Sequence, residues 1–245
     1  MTHPDLQNAG VNATHARERL ASTAVGFVPY ALVSIVHVGA LAAGATPVAE
    51  PTKLLLMPLL ALAVLWGIRT LHWTTATTLL LSAIALSWLG DGAATFFPFA
   101  PTLPMMLLCF GLAHLAYMWL FARHLALRRL PWWTLVYAAW WIVLVIVLWP
   151  HLGGLAFAVA AYGLVLGGTA ALAARCHPLV VVGGAFFLAS DTILAFRLFL
   201  PDAMPAWTSP AVMATYCLGQ GLIAAGVVVT LQRGRKNQRM LRSTR

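Results

Sequence analysis

The chain has 245 residues, of which 61% are hydrophobic and 9% are charged, and its mean hydropathy is +0.86. This composition excludes an ordinary soluble domain and is typical of a protein that crosses the membrane several times. The formal net charge of +9 does not indicate nucleic-acid binding, because the basic residues lie at the ends of apolar segments, where a bilayer places them.

Eight apolar segments are long enough to cross a membrane, since a spanning helix needs about 20 residues. They cover residues 25–44, 53–69, 73–95, 102–123, 131–149, 152–174, 179–200 and 209–231. The links between them are short, so neighbouring helices should be antiparallel. We therefore predict an all-α polytopic membrane protein, a bundle of about eight transmembrane helices. This membrane domain, 25–231, would lie between a polar N-terminal segment, 1–24, and a basic tail, 232–245.

The distribution of lysine and arginine predicts the orientation of the bundle. With the N-terminus in the cytoplasm, only Lys53 and Arg197 fall on the outer side, and all other basic residues fall inside. We therefore predict that both termini are cytoplasmic. The basic tail also suits attraction to anionic membrane lipids. The alanine- and arginine-rich composition favours a bacterial inner membrane as the location.

Two aspartates, Asp91 and Asp191, fall within predicted spans, although the whole chain has only six acidic residues. An aspartate at bilayer depth costs roughly 2.5–3.5 kcal/mol on insertion scales. Such a carboxyl faces the bundle interior or water, and it marks a functional site by default. At this point the alternative remains open that each aspartate is a hydrogen-bonded lock between helices.

Other polar side chains recur at helical spacing, so those of one segment share a face of its helix. These sets are Ser87 with Asp91, Gly111 with His114 and Tyr117, and Tyr216 with Gln220. Lys53 opens the second predicted span from the outer side. If these faces converge, they form one polar pocket in the outer half of the membrane.

Five short motifs in a fixed order cover roughly residues 52–231. They are T-K-L-L-L-M-P (52–58), S-W-L-G-D (87–91), G-L-A-H-L-A-Y (111–117), G-A-F-F-L-A-S-D-T-I-L-A (184–195) and Y-C-L-G-Q (216–220). In these motifs the chain resembles the YhhN-like family of integral membrane lysoplasmalogenases. One position departs from the family pattern, because Leu54 follows Lys53 where the family tends to carry proline.

The resemblance implies an enzyme that hydrolyses the vinyl ether bond of a lysoplasmalogen, a lysophospholipid, to a fatty aldehyde and a glycerophospho-base. Two carboxyls in unlike environments can divide the roles of acid and base. We assign Asp191, the deeper carboxyl, as general acid and Asp91 as base or cation stabiliser. The residues expected to bind or orient the substrate are Lys53, Ser87, His114, Tyr117, Ser190, Tyr216 and Gln220. Lys53 would meet the lipid phosphate, and no metal ion or other cofactor is required.

Two other functions fit the same residues. Membrane aspartate, histidine and tyrosine also build proton relays, so a proton-coupled carrier is one alternative. A metal-dependent membrane lipid hydrolase is another, with His37, His114, Asp91 and Asp191 as ligands, since histidine and carboxylate bind zinc. No HxxxH or HExxH pair supports it.

Overall fold

The computed structural model describes the backbone of residues 3–243 and the side chains of residues 23–235. Within these ranges the chain forms nine α-helices and no strand. The helices are α1 (His3–Ala42), α2 (Thr46–Ile68), α3 (Thr75–Asp91), α4 (Ala93–Phe96), α5 (Thr102–Arg123), α6 (Leu135–Leu148), α7 (Ala156–Ala173), α8 (Pro178–Phe199) and α9 (Thr208–Ser243). Most side chains of the predicted segment 1–24 and of the tail 232–245 lie outside the described residues.

The membrane character of the chain follows from these helices. In the described part of the chain, seven helical stretches are long and apolar enough to cross a membrane. The short apolar helix α3, of 17 residues, takes the place of the third predicted span. The prediction of an all-α polytopic bundle of about eight helices is confirmed.

The third predicted span, 73–95, is divided in the structure. Helix α3 ends at Asp91, Gly92 caps it, and the four residues of α4 follow. Glycine favours such a break, because it lowers the stability of a helix interior relative to alanine. The break places Asp91 at the C-terminal end of a helix.

The core of the bundle is formed by buried apolar side chains of α1, α2, α3, α5, α7, α8 and α9. Met57, Leu80, Phe121, Phe187 and Ile223 are all 2% exposed or less. Helix α6 lies to one side, where it packs mainly on α7. Polar side chains can therefore meet in the centre of the bundle, between α3, α5, α7, α8 and α9.

Helices α8 and α9 form the most extensive helix pair, and glycines let their backbones approach. A Cβ atom added at Gly183 would lie 2.8 Å from the carbonyl oxygen of Gly219 and 2.8 Å from the amide nitrogen of Ile223. A Cβ atom added at Gly219 would lie 2.8 Å from the amide nitrogen of Phe187. A flexible side chain could move away from an added Cβ atom, but backbone atoms cannot. Both positions therefore require glycine.

We expect Gly219→Ala to destabilise the bundle by about 1–3 kcal/mol, the usual cost of overpacking. The measurement is the midpoint of unfolding of purified protein in detergent micelles. Gly39→Ala on α1 is the matched control, because no atom lies within 4 Å of a Cβ added there. The control should unfold at or slightly above the wild-type midpoint. The same midpoint for both variants would contradict the close packing of α8 and α9.

Candidate functional site

Each intramembrane carboxyl accepts a hydrogen bond from a tyrosine on another helix. The hydroxyl of Tyr216, on α9, donates to Asp91 Oδ2 at 2.7 Å. The hydroxyl of Tyr162, on α7, donates to Asp191 Oδ2. His114 Nε2, on α5, lies 3.7 Å from Asp191 Oδ2. Side chains of five helices therefore surround the two carboxyls.

The surroundings of the two carboxyls meet at the ring of Phe187. Its centroid lies 4.7 Å from that of His114, the histidine beside Asp191, and 5.5 Å from that of Tyr216, the partner of Asp91. The residues around one carboxyl therefore pack against the residues around the other.

A second hydrogen-bonded group lies one helical turn from Tyr216. Gln220 Nε2 donates to Ser87 Oγ at 3.0 Å, and the Tyr117 hydroxyl donates to Gln220 Oε1 at 2.5 Å. All three side chains are buried. A buried network of this kind is costly to break, so it fixes the register of α3, α5 and α9. Its contacts are with one another rather than with either carboxyl.

His114 is buried, yet its polar atoms are unsatisfied. Its side chain is 0% exposed, and neither ring nitrogen has a hydrogen-bond partner among the described residues. Its ring packs against the rings of Tyr162 and Phe187, at centroid distances of 5.7 Å and 4.7 Å. Because buried polar atoms normally find partners, these imidazole nitrogens beside Asp191 can bind a water molecule or a polar group of a ligand.

Lys53 lies within α2 rather than at its start. Helix α2 begins at Thr46, so Lys53 lies seven residues, or roughly 10 Å, further along the axis. The carbonyl of Leu54 accepts a hydrogen bond of 2.9 Å from the indole of Trp88, on α3. The charge of Lys53 also acts on Asp91. Leucine stands at position 54, where the family tends to carry proline. Because Leu54 contacts Trp88, the part of α2 that carries Lys53 lies beside the end of α3.

Ser190 precedes Asp191 on α8 but makes a different contact. Its buried hydroxyl donates to the backbone carbonyl of Val212, on α9, at 2.9 Å. The side chain therefore ties α8 to α9 next to Asp191. This hydrogen bond fixes the position of Asp191 along the axis of α9.

Tyr162 is the residue of the site that the sequence analysis missed. It lies within an apolar span, Gly153–Ala173, where a tyrosine hydroxyl needs a hydrogen-bond partner. That requirement was the signal available in the sequence, but the partner is on another helix, 29 positions away. No spacing rule within one helix connects the two residues.

The described side chains do not assemble a ligand set for a metal ion. Among them, no group of three or more His, Cys, Asp and Glu residues lies close enough to hold one. His37, a ligand in the metal-dependent alternative, is instead placed with its Nδ1 atom 3.0 Å from Thr52 Oγ1. His114 and Asp191 alone are two ligands, fewer than the three protein ligands of catalytic zinc sites.

The comparison with known proteins identifies the family. The sequence model of the YhhN family matches residues 49–227, a range that contains both aspartates, the residues predicted to bind or orient the substrate, and Tyr162. No curated protein and no solved structure matches the chain. Because the match covers well over half of the 245 residues, the chain belongs to the YhhN family.

Proposed function

We propose that the protein is a membrane hydrolase that cleaves the vinyl ether bond of lysoplasmalogens. The observation that carries this proposal is the pair of aspartates on apolar helices, each hydrogen-bonded by a tyrosine of another helix. Membership of the YhhN family is consistent with this activity. The products would be a fatty aldehyde and a glycerophospho-base.

The reaction needs an acid and a carboxylate in one place. The acid protonates the vinyl carbon remote from the ether oxygen, and an oxocarbenium ion forms. Water adds to the carbon that bears the oxygen, and the added water loses a proton. The resulting hemiacetal breaks its bond to the glycerol oxygen, which takes up a proton. One water molecule is consumed, and the acid regains its proton.

The surroundings of the two carboxyls support a division of these roles. Asp191 has a side chain only 10% exposed and lies beside the rings of His114 and Tyr162, a setting that suits the general acid. We therefore propose Asp191 as the general acid and Asp91 as the carboxylate that stabilises the oxocarbenium ion and activates water.

The other polar residues support the two carboxyls. Tyr162 and Tyr216 orient them through their hydroxyl groups, and His114 exchanges a proton with Asp191 or holds the attacking water. Ser87, Tyr117 and Gln220 act through Tyr216, because their network fixes the turn of α9 that carries it. They are positioning residues, whereas the aspartates contact the reacting atoms.

The purified protein should release aldehyde from a vinyl ether lysophospholipid but not from its alkyl ether or acyl ester analogues. The alkyl ether has no carbon that an acid can protonate, and the ester requires a nucleophile rather than an oxocarbenium ion. The measurement is free aldehyde and free fatty acid after incubation with each lipid in micelles. Fatty acid release from the ester at a comparable rate would instead indicate a general lysolipid hydrolase.

Asp91→Asn and Asp191→Asn should each lower the rate of aldehyde release by roughly 10²–10⁴-fold, the usual contribution of general acid–base catalysis. The measurement is kcat in detergent, with unfolding midpoints recorded to verify that each variant is folded. Asp202→Asn is the matched control, because Asp202 is exposed in the link between α8 and α9. A folded Asp91 or Asp191 variant with nearly wild-type activity would overturn the two-carboxyl mechanism.

Tyr162→Phe should lower kcat roughly 10- to 100-fold, because its hydroxyl stabilises the carboxylate that Asp191 becomes as it gives up its proton, and hydrogen bonds to charged groups contribute about 1.5–3 kcal/mol. It should also change the shape of the pH–rate profile, whereas a loss of folded protein would scale the whole profile evenly. Tyr137→Phe is the control, since the hydroxyl of this partly buried tyrosine on α6 has no hydrogen-bond partner among the described residues. An unchanged profile for Tyr162→Phe would remove Tyr162 from the catalytic site.

A further inference from the structure

A cavity of about 420 Å³ lies at one end of the bundle, where α1 and α8 end and α2 and α9 begin. The distribution of basic residues predicts that this is the outer end. Its wall includes three charged side chains, Glu50, Lys53 and Arg197. Glu50 and Arg197 lie outside the five sequence motifs, so the cavity includes charged residues that the carboxyl site does not contain.

Neither cation of this cavity forms an ion pair within the described part of the chain. Among the described residues, Lys53 and Arg197 have no salt bridge to a carboxylate, although the exposed Glu50 lines the same cavity. Both cationic side chains are partly buried. They are therefore open to charge-assisted hydrogen bonds with an anionic group that enters the cavity.

Arg197 is held in place with most of its donors free. One guanidinium nitrogen, Nη1, donates to Thr208 Oγ1 at 2.5 Å and to the carbonyl of Pro205 at 3.5 Å. Its remaining N–H groups have no partner among the described residues. A fixed guanidinium with several free donors matches the oxygens of a phosphate, which arginine binds in a bidentate manner.

On three helices, residues that line the cavity lie near residues that surround the carboxyls. On α8, Arg197 lies six residues beyond Asp191, or roughly 9 Å along the axis. On α9, Val212 lines the cavity, and its carbonyl accepts the hydroxyl of Ser190, the neighbour of Asp191. On α2, Lys53 lines the cavity, and its charge acts on Asp91. These three links place the wall of the cavity next to the surroundings of the two carboxyls.

We propose that this cavity is the headgroup site of the substrate, in which Arg197 and Lys53 together bind the lipid phosphate. Glu50, exposed at the rim one turn before Lys53, meets the cationic amine that the phosphate carries. This inference rests on the proposed function and adds a second phosphate ligand and a ligand for the amine. The glycerol unit then spans the distance between the phosphate and the reacting vinyl ether.

The test compares a vinyl ether lysophosphoethanolamine with a 1-alkenylglycerol, which has the same reactive bond but no phosphate. Arg197→Gln and Lys53→Gln should each lower kcat/KM for the phospholipid roughly 10- to 100-fold, as expected for lost charge-assisted hydrogen bonds. With alkenylglycerol the change in Arg197→Gln should stay within about threefold, a difference of under 1 kcal/mol. Lys53→Gln should lower kcat/KM for both lipids, and more for the phospholipid, because the charge of Lys53 also acts on Asp91. Glu50→Gln should impair only substrates with an amine, and a vinyl ether glycerophosphate tests this point.

Arg129→Gln is the matched control, because Arg129 is exposed in the link between α5 and α6, at the opposite end of the bundle. It should behave as the wild type with both lipids. Equal losses on both substrates in Arg197→Gln would mean that Arg197 only holds the link before α9, and would overturn the proposal. Lys53→Gln gives an independent test, since Lys53 makes no hydrogen bond to a described residue. No loss on the phospholipid in either variant would also overturn it.

A binding measurement separates this inference from the proposed reaction. An alkyl ether lysophosphocholine cannot be hydrolysed by the vinyl ether route, and 1-alkylglycerol lacks its headgroup. The phospholipid should raise the unfolding midpoint of the wild type, whereas alkylglycerol should raise it less, and Arg197→Gln should abolish the difference. If the wild type releases no aldehyde but shows this difference, the reaction is wrong and the headgroup site stands. Equal stabilisation by both lipids would remove the headgroup site.

Discussion

The rest of the structure depends on how two carboxyl groups are accommodated inside an apolar bundle. A carboxyl removed from water loses its solvation, and the loss is large unless hydrogen bonds or opposite charges replace it. The protein supplies one tyrosine hydroxyl to each group, Tyr216 to Asp91 and Tyr162 to Asp191. These two bonds come from α9 and α7, so the position of each helix is tied to the solvation of a carboxyl. A change in the position of either helix would therefore change the hydrogen bonding of a buried carboxyl.

The close packing of α8 and α9 fixes the positions of the residues that surround the two carboxyls. Gly183 and Gly219 let the two backbones touch, and the hydroxyl of Ser190 bonds the carbonyl of Val212 beside Asp191. Further along α9, Gln220 joins Ser87 and Tyr117 in a buried network. The same helix therefore positions both carboxyls, one through its backbone and the other through Tyr216. A small shift of α9 would disturb two hydrogen-bonded groups at once.

Much of this arrangement is visible in the sequence, because bilayer burial makes polar residues costly and therefore informative. The apolar segments predict the helices, and the spacing of Tyr216 and Gln220 predicts their shared face. Helix α2 begins at Thr46 rather than at residue 53, because Pro47 occupies its first turn, where proline is tolerated. Tyr162 was missed because a hydroxyl in an apolar span gives no indication of which helix holds its partner. Pairing between helices depends on tertiary packing, which no local pattern encodes.

In the proposed function, the headgroup cavity and the carboxyl pair would hold opposite ends of the substrate's glycerol unit, which carries the phosphate at one end and the vinyl ether at the other. The lipid chain beyond the vinyl ether would give little positional information. A phosphate held by Lys53 and Arg197 would fix one end of the glycerol unit, so that the ether oxygen is confined to a short distance from it. Confinement of this kind converts a chance encounter into an intramolecular approach, which lowers the entropic part of the barrier. Binding of the phosphate at the cavity would in this way raise the rate of proton transfer at the carboxyls.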